Sequence, residues 1–317
     1  MYKVLVTGAN GFIGRALCRK LIDNNWHVRA CIRNAHNKDK LIEGMDTIVV
    51  SSIESDSDWS KALEDVEIVV HLAAKVHSTK RTNSDSFKTF SYVNTAWTER
   101  LAMISAEKGV KRFVYLSSVK ACGDGKEEPY SEKDTPKPST PYGISKFEAE
   151  LQLKKIGSRT GMDVVILRPP LVYGPGLKAN FLSLFRVVNC GVPFPLASIR
   201  NRRSFIYLDD LLDAVVICMV SPNAAGKIFM VSGGEDVSTP ELIRKVAEAL
   251  RKKTVLFPFP VFLIKLIGKI LGRSITTARF TDSLSVDSSR IRRELGWEPL
   301  FTLERGLSET AEWYLKS

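Results

Sequence analysis

The sequence lacks a hydrophobic run long enough to cross a membrane. Its most apolar stretch, residues 256–271, contains Pro258 and Pro260 and is shorter than the roughly 20 residues that a spanning helix needs. A strand-like run begins at residue 2 and leaves no room for a signal peptide. We therefore expect a cytoplasmic protein with no stable membrane association. In it, residues 256–271 would pack over the substrate or form an oligomer contact, with a place in a membrane interface as the alternative.

Cysteine and histidine are scarce, with five and four residues in a chain of 317. The cysteines are odd in number and far apart, so they indicate neither a disulfide framework nor a zinc site, and they fit a reducing compartment. They are Cys18, Cys31, Cys122, Cys190 and Cys218. The histidines have no metal-ligand spacing, so we expect no metal site and interpret His77 as a structural or surface residue.

The chain also lacks a long run of lysine and arginine, although its formal net charge is +11. A net positive charge favours anionic partners in general. Because the basic residues are dispersed, we do not expect nucleic-acid binding. A phosphorylated small molecule is the favoured partner.

Short runs rich in valine and isoleucine recur through the first half of the chain. Their apolar residues are mostly continuous rather than alternating, which is typical of parallel strands buried on both faces. The runs are residues 3–6, 27–32, 47–50, 68–71, 113–116 and 164–167. Segments long enough for crossover helices separate most of them. This rhythm predicts an α/β fold with a doubly wound, Rossmann-type parallel sheet.

After Arg168 several prolines and glycines interrupt the rhythm, which indicates a smaller C-terminal α/β substrate lobe. A helix near 208–220 is expected to return to the sheet, and Pro240 suits the first turn of a lobe helix at 239–250. We predict a dinucleotide-binding domain of residues 1–168 and about 202–230. The lobe would comprise about 169–201 and 231–317.

A glycine-rich loop joins the first strand to a helix. Gly8 permits a tight turn, Gly11 lets the backbone approach a pyrophosphate, and Gly14 lets the helix pack on the strand. The free N–H groups of the following helix then face the phosphates. This context favours dinucleotide binding over an ordinary turn.

The spacing G-x-x-G-x-x-G resembles the cofactor loop of extended short-chain dehydrogenases/reductases, in particular a UDP-glucose 4-epimerase-like subgroup of surface-polysaccharide synthesis. The segment His71-Leu72-Ala73-Ala74 and Asn94 resemble two further motifs of that family. The resemblance extends over nearly the whole chain. It implies cofactor contacts from Gly8, Gly11, Phe12, Ile13, Gly14, Leu72, Ala73, Ala74, Asn94 and Pro169.

Tyr142 and Lys146 carry the predicted chemistry. At positions i and i+4 of one helix they share a face, and a nearby ammonium should lower the tyrosine pKa. Tyr142 could then exchange a proton with a sugar hydroxyl or ketone. The resemblance implies that Lys146 also holds the nicotinamide ribose. It implies too that Ser118, and not Ser117, is the catalytic serine, which hydrogen-bonds the reacting oxygen.

The loop after Ser118 argues against one activity of the family. In 4,6-dehydratases an Asp-Glu pair follows the catalytic Ser or Thr, whereas this chain has Val119 and Lys120. Neither side chain can supply the carboxyl acid, so we do not expect a dehydratase. Lys120 is interpreted equally well as a substrate contact or as a solvated loop residue.

Substrate contacts are implied by two further segments. Asn180 matches a position that binds the sugar-nucleotide diphosphate, and Arg203 takes the place of a diphosphate-clamping arginine. Arg202 is left open between this role and a solvated charge. The implied partner is a UDP-sugar, and a homodimer is the habit of the family.

Cofactor choice is predicted from the end of the second strand. NAD-specific enzymes of this fold place an acid there, whereas this chain has Arg33, which can pair with the 2′-phosphate of NADP. A net reductase uses NADPH, so we expect NADP(H), with NAD as the alternative. The favoured function is reduction of a UDP-linked 4-keto sugar, and the alternative is an NAD-dependent 4-epimerase of UDP-glucose or UDP-N-acetylglucosamine. A non-catalytic dinucleotide sensor is disfavoured because Ser118, Tyr142 and Lys146 are all present.

Overall fold

The structure is a computed structural model, and it describes residues 2–36, 41–52, 55–76, 83–177, 179–272 and 274–317. His77 lies outside the described residues. In the described part, the strands are β1 Lys3–Thr7, β2 His27–Ile32, β3 Asp46–Val49, β4 Ile68–His71, β5 Arg112–Leu116, β6 Asp163–Arg168, β7 Leu171–Tyr173, β8 Arg203–Tyr207, β9 Ile228–Met230 and β10 Asp236–Val237.

The helices of the same residues include α1 Phe12–Asp23, α2 Asp56–Ala62, α3 Asn83–Phe90, α4 Trp97–Glu107, α5 Pro141–Thr160 and α6 Ala179–Asn189. They continue with α7 Leu208–Val220, α8 Thr239–Ala249, α9 Val261–Ile270, α10 Ser274–Thr281, α11 Ser289–Leu295 and α12 Leu303–Lys316. A π-helical segment, Ser91–Ala96, joins α3 to α4.

Seven parallel strands form the main sheet in the order β3-β2-β1-β4-β5-β6-β9. The order reverses between β1 and β4, which is the switch point where ligands of doubly wound sheets bind. Both strands end there, with Thr7 opposite His71. The predicted Rossmann architecture is confirmed.

The strands are continuously apolar because both faces of the sheet are covered. Val4 and Val6 point into a core shared with α1 and α7, whereas Leu5 points into the core on the opposite face, shared with α4 and α5. All three side chains are fully buried. This alternation between two cores holds the strand ends, and therefore the site, in a rigid frame.

A second sheet of three strands, in the order β10-β8-β7, belongs to the smaller lobe. An aromatic core that includes Tyr173, Phe181 and Phe205 packs it against α6, α8 and α12. Helix α7 then returns to the main sheet and β9 pairs with β6. The division into two domains stays a prediction, and its boundary near residue 202 falls at the start of β8.

Predicted and observed elements agree most closely where the pattern is most apolar. The runs 27–32 and 68–71 and the helix 208–220 have the observed bounds, and the third strand is shifted by one residue to Asp46–Val49. The short strands β7, β8, β9 and β10 were not predicted, because two to five residues carry too little periodicity.

The apolar stretch 256–271 contains helix α9, whose Phe262 and Ile270 are 68% and 74% exposed, so this face of the helix is not covered by the described part of the chain. The expected packing over the substrate or oligomer contact stays a prediction. Within the described residues, no helix is long and apolar enough to cross a membrane. The same residues contain no cluster of potential metal ligands, and all five cysteines are free.

Candidate active site

The glycine-rich loop lies against the end of β4. Gly8 has a φ of +67°, and a Cβ there would be 2.8 Å from the Ala73 amide nitrogen. A Cβ on Gly14 would be 2.2 Å from the Gly8 carbonyl oxygen. Only glycine fits these two positions. The close packing of β1, β4 and α1 therefore explains why the motif has glycines there.

The N-terminus of α1 is directed to the switch point. Its N-cap is Gly11, which supplies no side-chain hydrogen bond to the first turn. The N–H groups of that turn, from Phe12, Ile13 and Gly14, are therefore left to a ligand. A dinucleotide pyrophosphate fits this arrangement, because the loop is narrow and the helix end carries a partial positive charge.

His71 links β1 to α4 beneath the loop. Its Nδ1 lies 2.6 Å from the Thr7 hydroxyl and its Nε2 lies 2.9 Å from the Thr98 hydroxyl. The Thr98 hydroxyl donates to the Asn94 carbonyl, so we assign the histidine proton to Nε2. Burial, together with the positive charge of Lys146, lowers the pKa of His71 to about 3. The ring is therefore neutral and structural.

Asn94 fastens the loop after β4 to the helix that carries Tyr142. Its Oδ1 accepts from the Lys75 amide at 2.8 Å, and its Nδ2 donates to the Lys75 carbonyl and to the Ser145 hydroxyl. The residue lies in the π-helical segment, a distortion that often occurs at functional sites. The partly buried residues Leu72, Ala73 and Ala74 are held in this loop.

Ser118 and Tyr142 meet at the carboxyl end of the sheet. Thr140 caps α5 by accepting from the Gly143 amide, and Tyr142 follows in the first turn. A Cβ on Gly143 would be 2.4 Å from the Lys120 carbonyl oxygen, so glycine lets α5 approach the loop after β5. The Ser118 hydroxyl lies close enough to the Tyr142 hydroxyl to lower the tyrosine pKa.

The expected drop in the tyrosine pKa is not observed. Burial raises the pKa of Tyr142 to about 12, and the hydrogen bond with Ser118 only partly opposes this effect. The expectation failed because the Lys146 ammonium donates to the Leu116 carbonyl at 2.7 Å and lies 4.3 Å from the Tyr115 ring centroid. Burial in turn lowers the pKa of Lys146 to about 7, against the raising effect of Glu150.

A buried ion pair supports the helix and the strand ends from behind. Arg168 donates to both carboxylate oxygens of Glu150, at 3.0 and 2.5 Å, and the Ser117 hydroxyl donates to the same carboxylate. Ser117 is therefore structural, as expected. Pro169 follows Arg168, is buried, and accepts a hydrogen bond from the Val119 amide, which ties the end of β6 to the Ser118 loop.

Asp124 organises the other side of that loop. It accepts from the Lys120 ammonium at 3.2 Å and from the Thr140 hydroxyl at 3.2 Å. Burial lowers the pKa of Lys120, and nearby Arg203 and Arg279 add to this effect. Lys120 is thus neither a plain solvated residue nor an isolated cation. It belongs to a cationic cluster, which we define as Lys120, Arg203 and Arg279.

The cationic cluster forms where β8, which carries Arg203, and α10, which carries Arg279, converge on the loop after β5. Arg203 donates to the Asp282 carbonyl at 3.0 Å, and burial lowers its pKa to about 10. Arg202 instead faces solvent and pairs with Asp236. Sequence reasoning missed Arg279, because no motif surrounds it, and only its position beside Arg203 makes it a candidate.

Two further predicted site residues are Asn180 and Arg33. Asn180 lies in α6, and its side chain is outside the described part of the structure. Arg33 follows the end of β2 and is exposed. In the order of strands, β2 lies on one side of β1, whereas β5, which precedes Ser118, lies on the other side. That position suits an adenosine ribose and not the reacting atoms.

The fold and the site together define a Rossmann-type protein with a candidate dinucleotide site at the β1/β4 switch point. The chain matches the NAD dependent epimerase/dehydratase family over residues 4–232. A Vibrio cholerae protein described as UDP-glucose 4-epimerase is 40% identical over 318 residues, which cover 99% of this chain and 96% of that protein.

Two more distant relatives extend the comparison. The solved structure of MoeE5 in complex with UDP-glucose and NAD is 27% identical, with a TM-score of 0.80 and 99% coverage of both chains. A dTDP-D-glucose 4,6-dehydratase from Mus musculus is 25% identical over 331 residues, which cover 99% of this chain and 89% of that protein. The chain belongs to the NAD dependent epimerase/dehydratase family and is an enzyme of that family.

Proposed function

We propose that this enzyme is an NAD-dependent 4-epimerase of a UDP-sugar such as UDP-glucose or UDP-N-acetylglucosamine. The observation that carries the proposal is the 40% identity, over 99% of the chain, to the Vibrio cholerae protein described as UDP-glucose 4-epimerase. The proposal reverses the preference for a 4-ketoreductase drawn from Arg33. Val119 and Lys120 in place of an Asp-Glu pair still argue against a dehydratase, although one relative bears that name.

The residues around the switch point would hold the cofactor. The first turn of α1 would bind the pyrophosphate, and the backbone of Leu72, Ala73 and Ala74 would border the dinucleotide. Pro169 would abut the nicotinamide, and Lys146 would hold its ribose. The nicotinamide ring supplies reversible hydride transfer at C4 of the sugar.

Proton transfer at the C4 oxygen falls to Tyr142. As the sugar hydroxyl becomes a ketone, its proton passes to the Tyr142 oxygen, and it returns when the ketone is reduced on its other face. The pKa of about 12 makes the phenolate costly in this arrangement. The Ser118 hydroxyl offsets part of that cost and can donate to the sugar oxygen as charge develops there.

The cationic cluster would bind the diphosphate of the substrate. Arg203 and Arg279 carry positive charge close together, and Lys120 connects them to the Ser118 loop. Arg203 is partly buried and Arg279 is exposed, and the planar guanidinium of each can donate paired hydrogen bonds to phosphate oxygens. The sugar would then extend from this cluster toward Ser118 and Tyr142.

The decisive experiment uses the purified protein without added cofactor. We expect it to interconvert a UDP-sugar and its C4 epimer, and to release bound NAD on denaturation. The Tyr142→Phe protein serves as the control, because it should retain the NAD but not the activity. If none of these UDP-sugars is interconverted with its epimer while NAD is bound, the epimerase proposal is wrong.

A 4-ketoreductase remains the second candidate, on the specific observation of Arg33. No acid stands at the end of β2, and the exposed arginine there can pair with a 2′-phosphate. This function predicts tighter binding of NADPH than of NADH, reversed by Arg33→Asp. It also predicts protein that is purified nearly free of cofactor, which separates it from the epimerase.

A further inference from the structure

Helix α9 presents an uncovered apolar face. Phe262, Leu266 and Ile270 are spaced by four residues, so they form one stripe along the helix, and they are 68%, 49% and 74% exposed. Ile267 and Leu271 extend the stripe and are also exposed. Large side chains grouped on one face in this way mark an interaction surface, unlike single exposed residues.

The opposite side of α9 is fixed to the protein. Gly268 is buried, and a Cβ at this position would be 2.0 Å from the Thr277 hydroxyl oxygen, so α9 packs closely on α10. Lys265 pairs with Asp282 at 2.9 Å. The apolar stripe is therefore displayed by an anchored helix whose other face is already used.

The segment that carries the stripe has basic side chains and no acidic ones of its own. Residues 251–281 contain no aspartate or glutamate, and their basic residues are Arg251, Lys252, Lys253, Lys265, Lys269, Arg273 and Arg279. Lys265 and Lys269 lie one helical turn apart, next to the stripe. A surface with aromatic and aliphatic residues beside lysines suits the interface of an anionic bilayer.

We propose that the stripe of α9 docks the enzyme on an anionic phospholipid bilayer, lying in the interface without crossing it. The apolar side chains enter the boundary between headgroups and acyl chains, and Lys269 faces the phosphates, whereas Lys265 stays paired with Asp282. A second copy of this chain fits less well. A two-fold interface would bring the same acid-free segment against itself, and like charges would repel. This inference replaces the expectation of no membrane association.

The test is co-sedimentation of the full chain with vesicles at physiological salt. We expect the protein to pellet with vesicles of phosphatidylcholine and phosphatidylglycerol, and much less with phosphatidylcholine alone. Replacing two large side chains by Phe262→Ser and Ile270→Ser should lower the partition coefficient at least about tenfold. The matched control is Leu315→Ser, on the exposed face of α12, which should bind as the unaltered protein does.

Two outcomes overturn the docking proposal. One is protein that stays in the supernatant when anionic vesicles are pelleted. This outcome includes a protein that is a dimer by analytical ultracentrifugation and a monomer in the α9 variant, since the stripe would then be the dimer interface. The other is an equal loss of binding in Leu315→Ser. The α9 variant should keep its turnover of a soluble UDP-sugar, since neither residue belongs to the candidate site. Docking and the proposed epimerase activity therefore fail or succeed separately.

Discussion

Burial changes the pKa values of Tyr142 and Lys146 more than their position beside each other on the helix does. Tyr142 and Lys146 share a helix face, yet the lysine ammonium is held by the Leu116 carbonyl and the tyrosine hydroxyl by Ser118. The two pKa shifts have opposite signs because burial penalises the charged form of each group. The Ser118 and Tyr142 contact is thus the direct link between the reacting groups.

Replacing Tyr142 by phenylalanine should remove proton transfer and leave the fold intact. We expect turnover to fall by roughly 10²–10⁴-fold, the usual contribution of general acid–base catalysis, with NAD affinity nearly unchanged. Steady-state kinetics and NAD titration measure the two effects. The matched control is Tyr92→Phe, at an exposed tyrosine, which should keep normal turnover. Near-normal activity of Tyr142→Phe would exclude Tyr142 as the acid and base.

Replacing Arg203 by alanine should weaken substrate binding by about 2–4 kcal/mol, as when one partner of a buried charge pair is truncated. Calorimetric titration with UDP measures the loss, and Arg202→Ala is the control because its side chain is 63% exposed and pairs with Asp236. The substitution also removes the hydrogen bond from Arg203 to the Asp282 carbonyl. The thermal stability of the variant should therefore be measured beside the titration. Equal affinities of the two variants would place the diphosphate elsewhere.

At the scale of elements, the site depends on polar side chains that join one element to the next. His71 connects β1, β4 and α4, and Asn94 connects the loop after β4 to α5. Such links are satisfied only while the buried groups keep the right protonation state. The His71 link therefore couples the packing of the sheet to pH, because its ring can titrate whereas the Asn94 amide cannot.

His71 should make the fold less stable in mild acid. Its pKa is about 3 in the folded chain and near its ordinary value of 6.5 in the unfolded chain. Between these values the unfolded chain binds the additional proton. The free energy of unfolding should therefore fall as the pH decreases below 6.5, by at most about 1.4 kcal/mol per pH unit.

Denaturant unfolding at pH 7 and at pH 5 measures this loss. His71→Asn should show a smaller loss between the two pH values, because asparagine can hydrogen-bond but does not titrate. His27→Asn is the control, since His27 is exposed and should leave the pH dependence unaltered. An unchanged pH dependence in His71→Asn would assign the acid sensitivity to other groups.

At the scale of the whole molecule, a rigid doubly wound sheet meets a smaller lobe along the carboxyl ends of the strands. The main sheet supplies the glycine loop, Ser118 and α5, whereas β8 and α10 supply Arg203 and Arg279. Ligands that bind at this edge contact the folded arrangement alone. Their binding should therefore stabilise the molecule as a unit.

Cofactor stabilisation can separate the two candidate functions. A nicotinamide dinucleotide at about 100 times its dissociation constant should raise the free energy of unfolding by about 2.7 kcal/mol. For the epimerase we expect NAD to give a larger thermal shift than NADPH at equal concentration, after any bound cofactor has been removed. A larger thermal shift with NADPH than with NAD would favour the ketoreductase, provided that Arg33→Asp makes the shift with NAD the larger one.

Much of the fold could be predicted because its pattern is local. The main strands are continuously apolar, and the glycine loop stands between a strand and a helix. Thr140 and Pro141 are residue types typical of a helix N-terminus, and they begin α5. Ser118, Tyr142 and Lys146 were named in advance from the resemblance and from spacing on a helix. The short strands of the lobe escaped prediction, because their residues acquire their role only by pairing with segments distant in the chain.

The sequence by itself determined the doubly wound architecture and predicted the dinucleotide loop, because hydrophobic period and glycine spacing act over short distances. It predicted Tyr142 and Lys146 from their spacing on a helix, and Ser118 from the family resemblance. Only the tertiary structure decided the partner of the Lys146 ammonium, the grouping of Arg279 with Arg203, and the exposure of α9. Each of these depends on burial and on contacts between residues far apart in sequence. No local pattern contains that information, since the dielectric surroundings and neighbours of a side chain exist only after the chain has folded.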